Sequence, residues 1–183
     1  MKYFYDTEFL DDGRTIELIS IGIVSSDGRE YYAVNSEMPE DRIKNDRWLC
    51  ENVIPSLPLN GREPKVNKHT SGNGYYWSLD RRSTIVKPKW VIANEVREFL
   101  LDGEGEPELW AWYAAYDHVV LAQLFGKMIH LPKGLPMYTN DLKQEAHRLG
   151  DPELPEQEVG EHNALADARH LKRRYEALLG GRP

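Results

Sequence analysis

Five polar residues in this sequence have the types and spacing to do chemistry together. Asp6 and Glu8 are two positions apart in the opening stretch Tyr-Asp-Thr-Glu-Phe. Side chains at i and i+2 of a strand share a face, so the two carboxylates would face the same way and repel. A divalent cation relieves that repulsion, and carboxylate oxygens suit magnesium or manganese. Asp117 ends the apolar run LWAWYAAYD, and His162 and Asp167 lie in His-Asn-Ala-Leu-Ala-Asp-Ala. Ala164, Ala166 and Ala168 let a helix approach closely, which would bring Asp167 to a metal. His162, just before that helix, could take a proton from water, because an ordinary imidazole titrates near neutral pH. Each acid alone has a bland explanation, such as a solvated turn or a helix N-terminal charge. The combination points to metal-assisted hydrolysis.

The elements that must position these residues can be read from pattern. Short strands are expected at Tyr3–Tyr5, ending at Asp6, at Glu17–Ser25 and at Glu30–Val34, with the Asp27-Gly28 turn between the last two. Arg47–Ile54 suits a short helix. Apolar positions Val91, Ile92, Val96, Phe99 and Leu100 predict an amphipathic helix over Trp90–Leu101. A buried strand at Glu108–Ala114 should lead into a helix at Asp117–Phe125, with a short strand at Tyr138–Thr139 and a helix at Asp141–Leu149. The last helix, Asn163–Leu179, has Asn163 as its N-cap. Leu165, Ala168, Leu171, Tyr175 and Leu178 form its expected core face. Strands first and helices later imply an α/β fold, a mixed sheet with helices packed on it.

Composition sets limits. A chain of 183 residues, 40% hydrophobic and 29% charged, suits one soluble domain. One cysteine, Cys50, excludes an internal disulfide and a multi-cysteine zinc site, and suits a reducing, cytoplasmic compartment. No secretory leader or membrane-spanning run is legible. The net charge of −7 is uneven: Arg42–Lys89 holds ten Lys/Arg and four Asp/Glu, a local balance of +6. Within it, about 55–89 reads as an irregular basic insertion able to meet phosphates, or as a solvated surface loop. Tyr75, Tyr76 and Trp77 could stack on bases there, and Arg81 and Arg82 could contact phosphate or reach across a dimer interface. Trp110 and Trp112 read as core. His69, His118, His130, His147 and His170 show no consistent ligand spacing. No P-loop, G-x-S-x-G or complete G-x-G-x-x-G is present.

Asp6-Thr7-Glu8, Asp117, and His162 with Asp167 resemble the three motifs of the DEDDh exonuclease superfamily. The DTEF opening and HNALADAR look most like the small RNase AS type, a 3′-exoribonuclease that prefers polyadenylate. The second motif departs from the commonest pattern: Ala114, Ala115 and Tyr116 precede Asp117, where an Asn is usual. The resemblance implies an RNase H-like fold and a homodimer. It also implies two Mg2+ ions (Mn2+ as a substitute) held by Asp6, Glu8, Asp117 and Asp167. His162 would be the general base and Glu8 would help orient the water. Phe9 would pack on the terminal base. The implied substrate is the 3′ end of single-stranded RNA, including adenylate-rich RNA, and the products are nucleoside 5′-monophosphates. From residues alone, a DNA 3′-5′ exonuclease and a silent nucleic-acid-binding module stay open.

Overall fold

The computed structural model describes residues 1–61, 64–66 and 74–180. His69 and part of the basic segment lie outside the described residues. The chain opens with three long antiparallel strands, β1 (Lys2–Asp11), β2 (Ile16–Ser25) and β3 (Glu30–Asn35). Two short helices follow, α1 (Glu40–Ile43) and α2 (Arg47–Asn52), then a small hairpin of β4 (Lys65–Val66) and β5 (Tyr75–Tyr76). Strand β6 (Val86–Lys87) precedes α3 (Lys89–Leu101), β7 (Glu108–Ala111), α4 (Ala115–Gln123), β8 (Asn140–Asp141), α5 (Leu142–Arg148) and α6 (Ala164–Leu179).

Six strands form one sheet in the order β6-β3-β2-β1-β7-β8. The β1–β3 ladders are antiparallel, whereas β6, β7 and β8 join as parallel strands. This is the expected RNase H-like mixed sheet flanked by helices. The central strands carry apolar residues on both faces because helices cover both. One core joins Tyr3, Tyr5, Ile21 and Ile23 to Ile92, Val96 and Leu100 of α3 and Val120 and Leu121 of α4. A second core packs Phe4 and Trp110 against Leu142, Leu171 and Leu178.

Several boundaries differ from the sequence expectation. Strand β1 does not stop at Asp6 but runs ten residues. Asp6, Thr7 and Glu8 interrupt its apolar pattern, yet their backbone stays paired with Gly22, Ile21 and Ser20 of β2. Strand β7 ends at Ala111, and Asp117 lies in the first turn of α4. The short strand after it is Asn140–Asp141, not Tyr138–Thr139. Helix α1 lies where no element was expected, and the β4–β5 pair gives structure to part of the 55–89 segment, which shows no periodicity.

Helix α6 begins at its expected cap: the Asn163 side chain accepts a hydrogen bond from the Ala166 amide at 3.1 Å. Ala164 and Ala168 are buried with Leu171 and Leu178, and Leu165 and Tyr175 are half-buried. The helix lies close on the sheet because β2 offers Gly22 beneath it. A Cβ at Gly22 would stand 2.3 Å from the Leu165 amide nitrogen and 2.4 Å from the Ala164 carbonyl oxygen. Gly22 pairs with Asp6, so this close approach lies beside the first carboxylate.

Candidate active site

Two elements bring three of the acids together. Asp6 and Glu8 come from β1 and Asp167 from the first turn of α6, and ligand oxygens of all three lie within 4.8 Å of one another. Glu8 is 8% exposed, so its charge is largely removed from water. Burial, followed by the nearby charges of Asp167 and Asp117, pushes the Glu8 carboxyl up to about 8. Asp6 is also held well above the ordinary carboxylate range by burial and by Asp117, Glu8 and Asp167. Asp167 is raised by burial and held back by hydrogen bonds from Gln157, at 2.6 Å, and from the His162 backbone.

Asp117 reaches the cluster from the other side of β1. The parallel ladder between β1 and β7 ends at Phe4 and Trp110, which leaves the Thr7 amide without a strand partner there. Asp117 Oδ1 fills the gap, accepting from the Thr7 amide at 2.9 Å and the Thr7 hydroxyl at 2.7 Å. Burial raises its carboxyl to about 7, with these hydrogen bonds opposing the shift. Asp117 is outside the 4.8 Å trio, but its charge is felt at both Asp6 and Glu8.

His162 stands at the cluster with its backbone in the left-handed region, φ 63°. Two neighbours outside the expected set hold this uncommon geometry. Ser56 Oγ donates to the His162 carbonyl at 3.0 Å, and the Trp48 ring packs edge-on to the imidazole with centroids 4.9 Å apart. Asp6, His162 and Asp167 line a cavity of about 190 Å³ with Trp112, Gln157, Glu161, His170 and Arg174. A larger open groove of about 700 Å³ lies between β3 and α3. Four of its charges pair internally, Lys87 with Glu95 at 2.6 Å and Arg29 with Asp102 at 3.2 Å, while Glu98 pairs with Arg97 at 3.6 Å, and the groove holds none of the clustered acids.

The residues expected to touch substrate separate into two groups. Phe9 adjoins the site and stacks on Tyr116, with ring centroids 6.3 Å apart. Tyr116 is one of the three residues, with Ala114 and Ala115, that precede Asp117 where the resemblance leads one to expect an Asn. Tyr76 is exposed, and Tyr75 donates to Glu51 at 2.5 Å. Arg81 donates to Glu40 at 2.8 Å and to the Ser36 carbonyl, while Arg82 is paired with Asp80 at 3.1 Å. Trp77 requires a correction. It is 4% exposed, packed with Leu49, Cys50 and Leu79 beneath the Lys44 ammonium, and has no open face for a base. Trp112, expected in the core, packs partly buried against it and also lines the cavity. His170, set aside on spacing, lines it as well.

An all-oxygen set of partly or fully buried acids within 4.8 Å fits a hard divalent cation, because such a cation removes the mutual repulsion that otherwise favours their protonated forms. Residues 1–179 match the family model described as Rv2179c-like, the 3′-5′ exoribonuclease Rv2179c-like domain. The chain is 41% identical over 179 residues to the 3′-5′ exoribonuclease Rv2179c of Mycobacterium tuberculosis (strain ATCC 25618 / H37Rv), covering 97% of this chain and 93% of that protein. The same identity and coverage hold for the 3′-5′ exoribonuclease MT2234.1 of Mycobacterium tuberculosis (strain CDC 1551 / Oshkosh). A match over nearly the whole length means that the chain belongs to the Rv2179c-like 3′-5′ exoribonuclease family.

Proposed function

We propose that this protein is a metal-dependent 3′-5′ exoribonuclease of the DEDDh type, resembling RNase AS, that hydrolyses the terminal phosphodiester of single-stranded RNA. The observation that carries the reading is the convergence of Asp6, Glu8 and Asp167 within 4.8 Å, beside His162. Asp6, Glu8, Asp117 and Asp167 would hold two Mg2+ ions. Asp117 would use its second oxygen, since Oδ1 is engaged by Thr7. When bound, the cations would neutralise charge and make an attacking water acidic near neutral pH.

The chain's own residues supply the rest. His162 accepts the proton of the attacking water on its imidazole, whose position Trp48 and Ser56 maintain. Glu8 orients that water. Phe9, backed by Tyr116, offers an apolar face to the terminal base. Tyr75, Tyr76, Arg81 and Arg82 are candidate contacts for the strand further out, and adenylate-rich RNA is the favoured substrate. The products are a nucleoside 5′-monophosphate and a chain one nucleotide shorter. A homodimer and a cytoplasmic location complete the proposal.

Incubation with 5′-labelled polyadenylate, mixed-sequence RNA and matched DNA tests this, in magnesium and in chelator. The expected result is a ladder shortening from the 3′ end of RNA, only with metal and fastest on polyadenylate. Faster cleavage of DNA would replace RNA as the substrate class. Binding without metal-dependent cleavage would overturn the enzymatic reading.

A further inference from the structure

We propose that Arg174 and Trp112 form a binding site for a non-scissile phosphate of the RNA strand, next to the carboxylate cluster. The inference rests on the exoribonuclease reading and adds a substrate contact to it. The cavity is lined by the acids Asp6, Glu161 and Asp167, and Arg174 is the one arginine or lysine among its lining residues. A polyanionic strand entering this cavity meets one permanent cation of the protein there.

Arg174 follows Asp167 by seven residues on α6, which places both on one face of the helix, separated by about 10 Å along its axis. The guanidinium therefore faces the same cavity from about two turns beyond the carboxylate. That offset suits a phosphate adjoining the one held at the acids. Two contacts fix the guanidinium plane: its central carbon lies 4.6 Å from the Trp112 ring centroid, and Nε donates to the Pro155 carbonyl at 3.1 Å.

Neither contact uses the terminal nitrogens. Among the described residues, Arg174 makes no ion pair, although Asp167 and Glu161 line the same cavity. A half-buried, stacked guanidinium with its forked end open presents parallel N–H donors that match phosphate oxygens. The competing role is a latch, in which Arg174 serves only to hold Pro155 and the chain leading to His162.

The test is steady-state hydrolysis of labelled oligoadenylate at several salt concentrations by the magnesium-loaded wild type, Arg174→Met and Arg174→Lys. Adenylyl-(3′→5′)-adenosine, which has one phosphodiester and no other phosphate, is the second substrate. For Arg174→Met on the long substrate, KM should rise roughly ten-fold, the scale of one lost charge-assisted contact, with kcat little changed. The salt dependence of log(1/KM) should become shallower by about 0.7, the increment for one phosphate on a single strand. On adenylyl-(3′→5′)-adenosine the variant and wild type should match.

Wild-type KM and salt slope in Arg174→Met would overturn the phosphate site. So would an equal loss of kcat on both substrates, which is the signature of a latch. If Arg174→Met does not fold, Arg174→Lys decides: the charge stays, so the slope should persist while KM rises with loss of the fork, and an unchanged KM overturns the proposal. A wild type that shortens no RNA defeats the exoribonuclease reading itself and is recognisable before any variant is compared.

Discussion

Replacing Glu8 by glutamine should make the metal-free protein more stable, and more so at alkaline than at acidic pH. Glu8 is 8% exposed, and its carboxyl is raised from 4.5 to about 8 by burial and by the charges of Asp167 and Asp117. The folded protein therefore holds this proton more tightly than the unfolded chain. Its contribution to stability is fully present below about pH 4.5 and is lost as pH rises through about 8. At about 1.36 kcal/mol per pH unit, keeping Glu8 ionised in the fold costs at most about 5 kcal/mol. The neighbouring acids share that repulsion and relax when one is neutralised, so a net gain of about 2–3 kcal/mol is expected from Glu8→Gln at pH 8. In a domain of this size that raises Tm by roughly 5–10 °C. The assay is thermal unfolding followed by circular dichroism in chelator, at pH 5 and pH 8. The variant should melt several degrees above wild type at pH 8 and close to it at pH 5, while losing nuclease activity. Magnesium should raise the wild-type Tm at pH 8 far more than the variant's. Equal gains at both pH values, or a lower Tm at pH 8, would refute electrostatic strain at this carboxylate.

Asp6→Asn and Asp167→Asn should each lower kcat by at least about 100-fold while leaving the circular dichroism spectrum unchanged, because each removes a charged cation ligand without removing volume. Normal turnover at saturating magnesium would exclude that residue from the site. His162→Ala should lower kcat by about 100-fold or more and leave magnesium affinity, read by calorimetry, within a few-fold of wild type; a collapse of metal affinity would make His162 a ligand. Gly22→Ala forces a methyl group against the α6 backbone and should cost about 3 kcal/mol, at the upper end for overpacking, with a fall in activity as α6 lifts; a wild-type Tm would mean that the helix can shift without loss.

Much of the site was legible because its signals are local. Asp6 and Glu8 share a face through strand periodicity alone, and Asn163 announces the start of α6 through its capping chemistry. The sheet class followed from the order of strands and helices. The extent of β1 was not legible, because Asp6-Thr7-Glu8 looks like the end of an apolar strand. Those polar residues are accommodated mid-strand by α6 and by the Asp117 carboxylate, neither of which is local to them. The burial of Trp77 depends on α2 and on Leu79 closing around it, although its neighbours Tyr75 and Tyr76 are at least partly open. Trp112 and Arg174 lie 62 positions apart, so no window of sequence could reveal their stack. Ser56 and Trp48 support His162 across more than a hundred residues, and a serine or tryptophan in a basic segment carries no sign of that contact. Gln157 was within reach of a closer reading, since it lies in the polar loop before His162.

One helix completes the site. Asp6 and Glu8 are the earliest parts of it to be made during synthesis, and α6 supplies Asp167 161 positions later. Residues so distant in the chain can meet only after slow, non-local closure. A chain in which β1 to β8 have formed but α6 has not docked on Gly22 has its paired acids and lacks the third carboxylate of the cluster. If Asp167 is a ligand as proposed, activity would be a late event in the life of each molecule. On the proposed site, a freshly made copy would leave nearby RNA intact until its last described helix had folded into place.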